Sequence, residues 1–385
     1  MSIAYQHVSP ELRVFHGADS LLALKRELQR AGCRRVAIVC GRTVGRSVEL
    51  QQLRELLGDS LVAVSSSARE HSPVAGVEEA ARSFEPLQVD SLVAVGGGSA
   101  VVTARAVAIL MGEKRPLAEL STRRLPDGKF ESPRLLAPKL PVYAVPTTPS
   151  TAFAKAGTAV HGEDGARLAM FDPKTRAKAI FIHPDFVRTA PRVLVHSATL
   201  NALANAVEAL ESPGCDPFSE AFLMQALRLM RQGLAPAAAD DESMRERLVV
   251  AALLCGRGTE QGGTGLASVL AHAIGARAHV ANGTVGAIVL PHTLRYNAPV
   301  SGARSLTLME ALRDVPGATP GQSPSERVAA WLHSLPVPRR LQEIGLTRDD
   351  LMPIAQAAMS DWFISRNARP VESVEALLGV LEAAW

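Results

Sequence analysis

Two short turns in the first half of the chain carry residue types that bind phosphate groups. The first turn, Gly96-Gly97-Gly98-Ser99, lies between an apolar run and a helical pattern. Glycines there let the backbone approach a phosphate closely, while the N–H groups and the dipole of a helix N-terminus supply positive potential. A tight connection without a ligand uses the same residues, and the turn lacks the GxGxxG spacing of ordinary dinucleotide folds.

The second turn combines hydroxyl-bearing residues with prolines, directly after the apolar residues 142–145. Its sequence is Pro146-Thr147-Thr148-Pro149-Ser150-Thr151. Hydroxyls and amides at the carboxyl end of a parallel strand face the crevice where such sheets bind ligands. A turn that caps its own backbone is the structural alternative. Two such turns after two strands of one sheet favour a shared site for a phosphate or a nicotinamide.

The elements around these turns predict a parallel sheet with helices on both faces. Short apolar runs alternate with helical patterns, an order that implies right-handed crossovers. We predict strands at residues 36–40, 60–64, 92–95, 142–145 and 180–182, helices at 21–31, 53–57, 77–84 and 101–111, and a hairpin of residues 158–160 and 168–171 around Asp164-Gly165.

After residue 184 the apolar residues recur only at helical spacing. This pattern predicts helices at residues 200–210, 222–234, 247–254, 266–274, 285–290 and 374–385, with a surface loop at 316–324. The predicted fold class is therefore an α/β N-terminal domain, residues 1–185, followed by an all-helical C-terminal domain, residues 186–385.

Charge and cysteine usage limit the kinds of partner. Lys and Arg total 41 against 38 for Asp and Glu, and the formal net charge of +3 forms no basic patch for nucleic acid or an anionic membrane. We therefore expect a small-molecule substrate and neither nucleic acid nor membrane as a partner. The four cysteines are widely spaced and no leader pattern precedes them, which predicts reduced thiols and a cytoplasmic protein.

Motifs spread over nearly the whole chain resemble the iron-containing alcohol dehydrogenase superfamily. They are the two turns, residues 265–282, and Leu290-Pro291-His292 with Asn297. The maleylacetate reductase branch is the most similar, through Glu70-His71-Ser72-Pro73-Val74, Asn201-Ala202-Leu203, Asn367-Ala368-Arg369-Pro370 and Ala383-Ala384-Trp385. The resemblance implies a dehydroquinate synthase-like architecture, in which a dinucleotide-binding domain and a helical domain enclose the site. It also implies NAD or NADP as cofactor and a homodimer.

The metal-ligand positions of the family hold different residues in this chain. Family members bind a divalent metal through an Asp and a His four residues apart and through two later His residues. The resemblance places these ligands at Asn201, Asn205, Ser268 and Asn282. Neutral amides and a hydroxyl are poor replacements, because Fe and Zn sites rely on anionic oxygen and basic nitrogen donors. We therefore expect no catalytic metal and a polar floor of the substrate pocket made by these four side chains.

His272 is the candidate catalytic residue. It follows Ser268 by four residues and therefore shares its helical face. The resemblance places it beside the nicotinamide as a proton relay, and imidazole suits that task because it titrates near neutral pH. A core histidine bonded to a carbonyl is the alternative. His279 can add a polar group to the pocket, or it can lie at a helix end or in a loop.

Two further departures from the family bear on substrate and cofactor. After Thr148 the family loop commonly continues with small and acidic residues, whereas Phe153 and Lys155 stand here and reshape the predicted substrate pocket. Lys155 can clamp a carboxylate or remain solvated. Gly41-Arg42 replaces an acidic residue that binds the adenosine ribose, so Arg42 favours the 2′-phosphate of NADP unless it is an ordinary surface arginine.

The first functional hypothesis is a metal-independent NAD(P)H-dependent reductase resembling maleylacetate reductase, acting on a small carboxylated oxo or enoic acid. Without a Lewis acid, plain alcohol oxidation is disfavoured, whereas hydrogen bonds from Asn, Ser and His can stabilise the delocalised charge of an enol or enone. The second hypothesis is a non-redox lyase, cyclase or isomerase, because function follows the site and not the scaffold. A third is an inactive binding or regulatory subunit, which His272 and the glycine turn disfavour.

Overall fold

The chain forms two compact units of different architecture. The computed structural model describes residues 5–125, 129–162, 165–238 and 241–385. One unit is Pro10–Pro191, and the other joins Arg192–Trp385 with the residues up to Ser9. The first unit has a parallel sheet with helices and the second is helical. The predicted fold class, an α/β part followed by an all-helical part, is confirmed.

A six-stranded sheet forms the centre of the α/β unit. Every adjacent pair of its strands is parallel, as predicted, and the order is β1-β10-β7-β4-β2-β3. The strands are β1 (Val14–His16), β2 (Val36–Gly41), β3 (Leu61–Ala68), β4 (Ser91–Gly96), β7 (Val142–Pro146) and β10 (Ala177–Ile182). The edge strand β1 was not predicted, because three residues are too few to show a periodic pattern.

The inner strands are apolar throughout because both faces of the sheet are covered. All residues of β4 are buried, and so are the first five of β2. Leu24, Leu50 and Leu53 from flanking helices pack in one cluster with strand residues such as Ile38 and Phe181. Continuous burial of this kind is typical of parallel sheets, and it explains why short apolar runs were sufficient to locate these strands.

Strand β3 corrects one predicted boundary. The apolar run predicted a strand at residues 60–64, whereas the strand continues to Ala68. The extension contains Ser65 and Ser67, which are buried but hydrogen-bonded: Ser65 Oγ donates to Ser67 Oγ at 2.9 Å, and Ser67 Oγ donates to the Gly76 carbonyl oxygen at 2.7 Å. Paired hydroxyls tolerate burial, so hydrophobicity alone ended the predicted strand too early.

Two small antiparallel sheets, seven α-helices and four short 3-10 helices complete the described part of this unit. The predicted hairpin is confirmed as β8 (Gly157–His161) paired with β9 (Arg167–Phe171), although Asp164 of its predicted turn lies outside the described residues. The other pair is β5 (Arg123–Arg124) and β6 (Phe130–Glu131). The helices are α1 (Ser20–Arg30), α2 (Arg42–Gly45), α3 (Val48–Leu57), α4 (Val74–Phe84), α5 (Gly98–Glu113), α6 (Leu117–Leu120) and α7 (Pro184–Arg188).

The helical unit contains every helix predicted after residue 186. Its helices are α8 (Arg192–Glu211), α9 (Pro217–Leu234), α10 (Glu242–Gly262), α11 (Leu266–Ala278), α12 (Asn282–Ala311), α13 (Pro324–His333), α14 (Arg348–Ala358) and α15 (Val374–Ala384). Two of them, α13 and α14, were not predicted. Both begin with capping boxes, Ser323 with Glu326 and Thr347 with Asp350, which supply a start signal that their short apolar patterns do not.

Helix α8 is the central helix of this unit. By length and composition alone it could cross a membrane, but 67% of its most apolar window is buried inside the protein, as in the core helix of a soluble protein. Residues before Pro10 also attach to the helical unit: the His7 ring lies 2.8 Å from the Asp216 carboxylate and stacks on Phe218.

Helices α8 and α12 approach each other at two glycines. A Cβ atom on Gly283 would lie well inside van der Waals distance of the Ser197 carbonyl oxygen and 2.9 Å from the Asn201 nitrogen, and one on Gly286 would lie 3.3 Å from Ala204 Cβ. The first turn of α12, which carries Asn282, is therefore held against the middle of α8.

Replacing Gly283 with Ala should destabilise the protein by about 3 kcal/mol or more, because the added methyl group overlaps backbone atoms that cannot move independently. Gly379→Ala is the matched control: Gly379 lies inside α15, and an added Cβ there would meet nothing within 4 Å. The control should be neutral or stabilising by up to about 1 kcal/mol. Urea unfolding measures both, and equal stability of the two variants would contradict the close approach.

Candidate active site

The two predicted phosphate turns lie side by side at the carboxyl edge of the sheet. Strands β4 and β7 are neighbours, and Gly96 pairs in register with Pro146. The Thr147 N–H donates to the Gly96 carbonyl oxygen at 2.8 Å. The structure therefore brings together the two turns whose common site the sequence predicted.

The glycine turn is packed so closely that side chains would not fit. A Cβ on Gly97 would lie 2.9 Å from Thr148 Oγ1, and one on Gly98 would lie 2.7 Å from Ser150 Oγ. Gly98 begins the 16-residue helix α5, and its N-cap residue, Gly97, has no side chain that could cap the helix. Ser99 follows in the first helical turn. Backbone N–H groups at an uncapped helix N-terminus suit an anionic group such as a nucleotide phosphate.

Buried arginines hold the segment after the second turn. Arg105 of α5 donates to the Gly157 carbonyl oxygen at 2.5 Å and also to that of Ala152, and Arg176 donates to the Ala154 carbonyl oxygen at 2.6 Å. These bonds fix the 3-10 helix Thr151–Ala154. Phe153 in this helix has no exposed surface in this structure.

Three other residues predicted at this site have different exposures. Thr151 is buried at the start of the 3-10 helix, and Lys155 at its end is half-buried. Arg42 is exposed and begins α2 directly after β2. Because β2 pairs with β4 in parallel, Arg42 lies at the same carboxyl edge of the sheet as the glycine turn.

In the helical unit, the four positions that the resemblance aligns with metal ligands lie on three helices in contact. Asn201 and Asn205 are on α8, where the Asn205 Nδ2 atom donates to the Asn201 carbonyl oxygen at 2.5 Å. Ser268 is on α11 and Asn282 begins α12; a Cβ on Gly275 of α11 would lie 2.7 Å from Asn282 Oδ1. These four residues and His272 are called the polar cluster below.

The donor set of the polar cluster does not fit an iron or zinc ion. Its members at the four aligned positions are amides and a hydroxyl, which lack the anionic oxygen and imidazole nitrogen of such sites. Within the described ranges, no group of three or more His, Cys, Asp or Glu residues is arranged to hold a metal ion.

Ser268 is bonded to a buried carboxyl that sequence reasoning missed. Its hydroxyl donates to Glu208 Oε2 at 2.6 Å, and the backbone N–H groups of Ala267 and Ser268 donate to Glu208 Oε1 at 2.5 and 3.1 Å. Burial raises the pKa of Glu208, while these hydrogen bonds act in the opposite direction. The sequence signal was a charged residue one turn after Asn205 in an otherwise apolar stretch.

A second buried carboxyl, Glu211, lies one turn further along α8. Asn297 Nδ2 and Ser301 Oγ donate to it at 2.7 and 2.9 Å. Asn297 also exchanges hydrogen bonds with Asn367, whose Oδ1 atom accepts the N–H of Leu266 at 3.0 Å. Asn367 belongs to a motif that supported the family resemblance, and its role here is to complete the N-terminus of α11.

His272 is paired with an acidic residue distant in sequence. Its Nδ1 atom lies 2.7 Å from Asp361 Oδ2, and its side chain remains 22% exposed. Asp361 Oδ1 also accepts the Phe363 N–H at 3.0 Å, and the Phe363 ring lies 5.8 Å from the imidazole. The carboxylate orients the ring and stabilises positive charge on it. The separation of 89 residues left no sequence signal for this pair.

One face of α11 therefore presents two side chains that are each bonded to a carboxyl: Ser268 with Glu208 and, one turn later, His272 with Asp361. His279 is not part of this arrangement, since it is exposed at the C-cap of α11 in the left-handed conformation. That position agrees with the helix-end alternative that the sequence allowed.

The α/β unit with its glycine turn and the helical unit with its polar cluster define a two-part dehydrogenase-like chain. Family models confirm the class: the iron-containing alcohol dehydrogenase model matches residues 10–184, and the model of the C-terminal part of Fe-containing alcohol dehydrogenases matches residues 196–385. The chain belongs to the iron-containing alcohol dehydrogenase family, whose members use NAD(P).

Relatives cover nearly the full chain at modest identity. Lactaldehyde reductase of Escherichia coli (strain K12) is 25% identical over 96% of this chain and 97% of its own length. Maleylacetate reductase 1 of Cupriavidus pinatubonensis is 27% identical over 97% of this chain and 95% of its own length. The crystal structure of maleylacetate reductase from Agrobacterium tumefaciens has a TM-score of 0.80, at 21% identity, covering 100% of this chain and 99% of that one. These relatives are thus oxidoreductases.

Glu211 gives the protein a pH-dependent stability. Burial raises the pKa of this carboxyl from 4.5 to about 7, and Glu208 adds to the rise while Asn297 and Ser301 oppose it. The folded state therefore binds the proton more tightly than the unfolded state. The stability that Glu211 contributes is fully present below about pH 4.5 and is lost as the pH rises to about 7.

Glu211→Gln should remove this dependence, because an amide can keep both hydrogen bonds without ionising. Relative to the wild type, the variant should gain about 2 kcal/mol in unfolding free energy between about pH 5 and pH 8. Chemical denaturation at both pH values measures the difference. Glu382 is exposed on α15, so Glu382→Gln is the control; the same gain in both variants would contradict the assignment to Glu211.

Proposed function

We propose that this protein is a metal-independent NAD(P)H-dependent reductase acting on a small carboxylated oxo or enoic acid, in the manner of the maleylacetate reductases. The observation that carries the proposal is the face of α11, where His272 pairs with Asp361 next to Ser268 and neutral side chains stand at the four aligned metal positions. These groups can stabilise an oxyanion and move a proton.

The glycine turn and the threonine turn are assigned to the nucleotide. Gly97, Gly98 and Ser99 would meet a phosphate through their backbone, and Thr147, Thr148 and Thr151 would line the neighbouring turn. NAD(P)H supplies a hydride when bound. The exposed guanidinium of Arg42 at the same sheet edge supports a preference for the 2′-phosphate of NADP.

The polar cluster is assigned to the substrate. A conjugated oxo acid that has accepted a hydride carries its new charge as an enolate, which is delocalised and needs hydrogen bonds more than a Lewis acid. Ser268 and the Asn201, Asn205 and Asn282 amides are the groups of this chain that can meet that charge. We further propose that no metal ligand set remains among these positions, because their side chains lack the donors that iron and zinc require.

His272 is assigned to the proton. Protonation of the enolate carbon completes the reduction of the oxo-enoic acid, and the Asp361 carboxylate stabilises the imidazolium that carries the proton before transfer. We further propose that Lys155 supplies a cation for a substrate carboxylate. We also propose a homodimer in the cytoplasm with no nucleic-acid or membrane partner.

Two measurements test whether the glycine turn binds the nucleotide: the fluorescence of NADPH on binding, and the oxidation of NADPH when maleylacetate is added. The wild type should bind NADPH and oxidise it, while Gly98→Ala should raise the Kd about tenfold or more, because its methyl group collides with Ser150 Oγ. Gly157→Ala, with nothing within 4 Å of the added atom, should leave the Kd unchanged. Tight binding without hydride transfer to any oxo-enoic acid would instead favour a non-redox lyase, cyclase or isomerase.

His272→Ala should lower kcat about a hundredfold while NADPH binding persists, because the proton donor is lost. Asp361→Asn should cause a smaller loss, since the ring keeps a hydrogen-bond partner but loses the negative charge. His333→Ala is the control, an exposed histidine at the end of α13. Steady-state kinetics give the comparison, and an unchanged kcat in His272→Ala would reduce His272 to a packing role.

A further inference from the structure

Glu208 and Glu211 are two buried carboxyls one helical turn apart. Their side chains are on the same helix, α8, and the two residues are 6% and 3% exposed. Neither forms an ion pair with another residue of the described ranges; the hydrogen-bond partners of Glu208 are neutral groups on α11, and those of Glu211 are neutral side chains on α12. Two buried carboxylates without a cation do not both ionise readily, because each charge is desolvated and repels the other.

Burial of two carboxyls so close together therefore favours one protonated member of this pair. Burial raises the pKa of both carboxyls. Only Glu208 of the two has a hydrogen-bond partner that is partly exposed. Its Oε2 atom is 2.6 Å from the Ser268 hydroxyl, and Ser268 is half-buried on the face of α11 that also carries His272. The described hydrogen-bond partners of Glu211, Asn297 and Ser301, are both buried.

We propose that Glu208 lends a proton to the substrate oxygen through Ser268. The inference rests on the proposed reductase function. When the enolate forms, the Ser268 O–H, which donates to Glu208 before the substrate binds, turns to the substrate oxygen and gives it the proton. Ser268 Oγ then takes the proton of the protonated Glu208 carboxyl, which leaves an enol and a carboxylate. When His272 protonates the carbon, the enol O–H returns its proton through Ser268 to Glu208. The net reaction consumes one hydride and the one proton from His272.

Glu208 is a positioning residue in this scheme, because only Ser268 touches the substrate. The competing explanation is that Glu208 merely caps α11 through the N–H groups of Ala267 and Ser268. Glu208→Gln separates the two. The amide oxygen of Gln can accept both N–H groups, and its NH₂ can donate to Ser268 Oγ, so the cap remains while proton exchange is lost.

We expect Glu208→Gln to lower kcat for maleylacetate about a hundredfold with KM within a few-fold of the wild type and an unchanged melting temperature. Ser268→Ala, which keeps the Glu208 carboxyl on both N–H groups, should lose the same factor. The double variant should be no slower than either single variant, because both changes break one path. Glu382→Gln is the control, because Glu382 is exposed on α15 and lies outside the carboxyl pair, and it should keep kcat.

A second readout does not depend on turnover. Infrared difference spectra of the nucleotide-free protein should show protonated carboxyl bands near neutral pH. One of them should disappear in Glu208→Gln and shift in Ser268→Ala, because the hydrogen bond to the hydroxyl is lost, while the band that disappears in Glu211→Gln should remain. If the wild type reduces maleylacetate and Glu208→Gln does so equally fast, the relay is wrong and the reductase function stands. If the wild type oxidises no NADPH with any oxo-enoic acid, the proposed function fails, and the relay fails with it.

Discussion

The hydrogen bonds of the Glu208 carboxyl with the first turn of α11 are the interaction on which the helical unit depends. A buried helix N-terminus exposes N–H groups that have no partner in the helix itself. Here Asn367 accepts from Leu266, and Glu208 accepts from Ala267 and Ser268. Gly265 leaves the space that these acceptors need, since a Cβ there would lie 2.8 Å from Asn367 Oδ1. The direction of α11, and with it the placement of Ser268 and His272, follows from these bonds.

The N-termini of α5 in the α/β unit and of α11 in the helical unit differ in the side chains available to accept their first N–H groups. The first N–H groups of helix α11 donate hydrogen bonds to side chains, whereas the N-cap residue of α5 is Gly97, which has no side chain to accept one. Anions are attracted to helix N-termini whose N–H groups can still be reached. The proposed function therefore assigns phosphate binding to α5 and leaves α11 to present side chains. Arg105 and Arg176 serve the first arrangement by fixing the backbone of the neighbouring turn.

Much of the architecture could be predicted from the sequence, because buried parallel strands such as β2 and β4 consist of continuous apolar runs. The glycine turn also marks the end of β4. It was less informative where polar groups are buried in pairs, as with Ser65 and Ser67 in β3. The hydrogen-bond partners of Ser268 and His272 in the polar cluster could not be predicted from the sequence either. Glu208 and Asp361 lie 60 and 89 residues from Ser268 and His272, and a lone acidic residue carries no periodic signal. Contacts of this kind depend on tertiary packing alone.

The bond between Leu266 and Asn367 spans 101 residues. During synthesis, α11 leaves the ribosome well before the segment that completes its N-terminus, and its first amide stays in water until that segment arrives. Such distant contacts raise the contact order and slow folding. The helical unit therefore acquires its final packing late, after α12, α13 and α14 have been made, and a nascent chain that lacks residue 367 contains α11 without its complete cap.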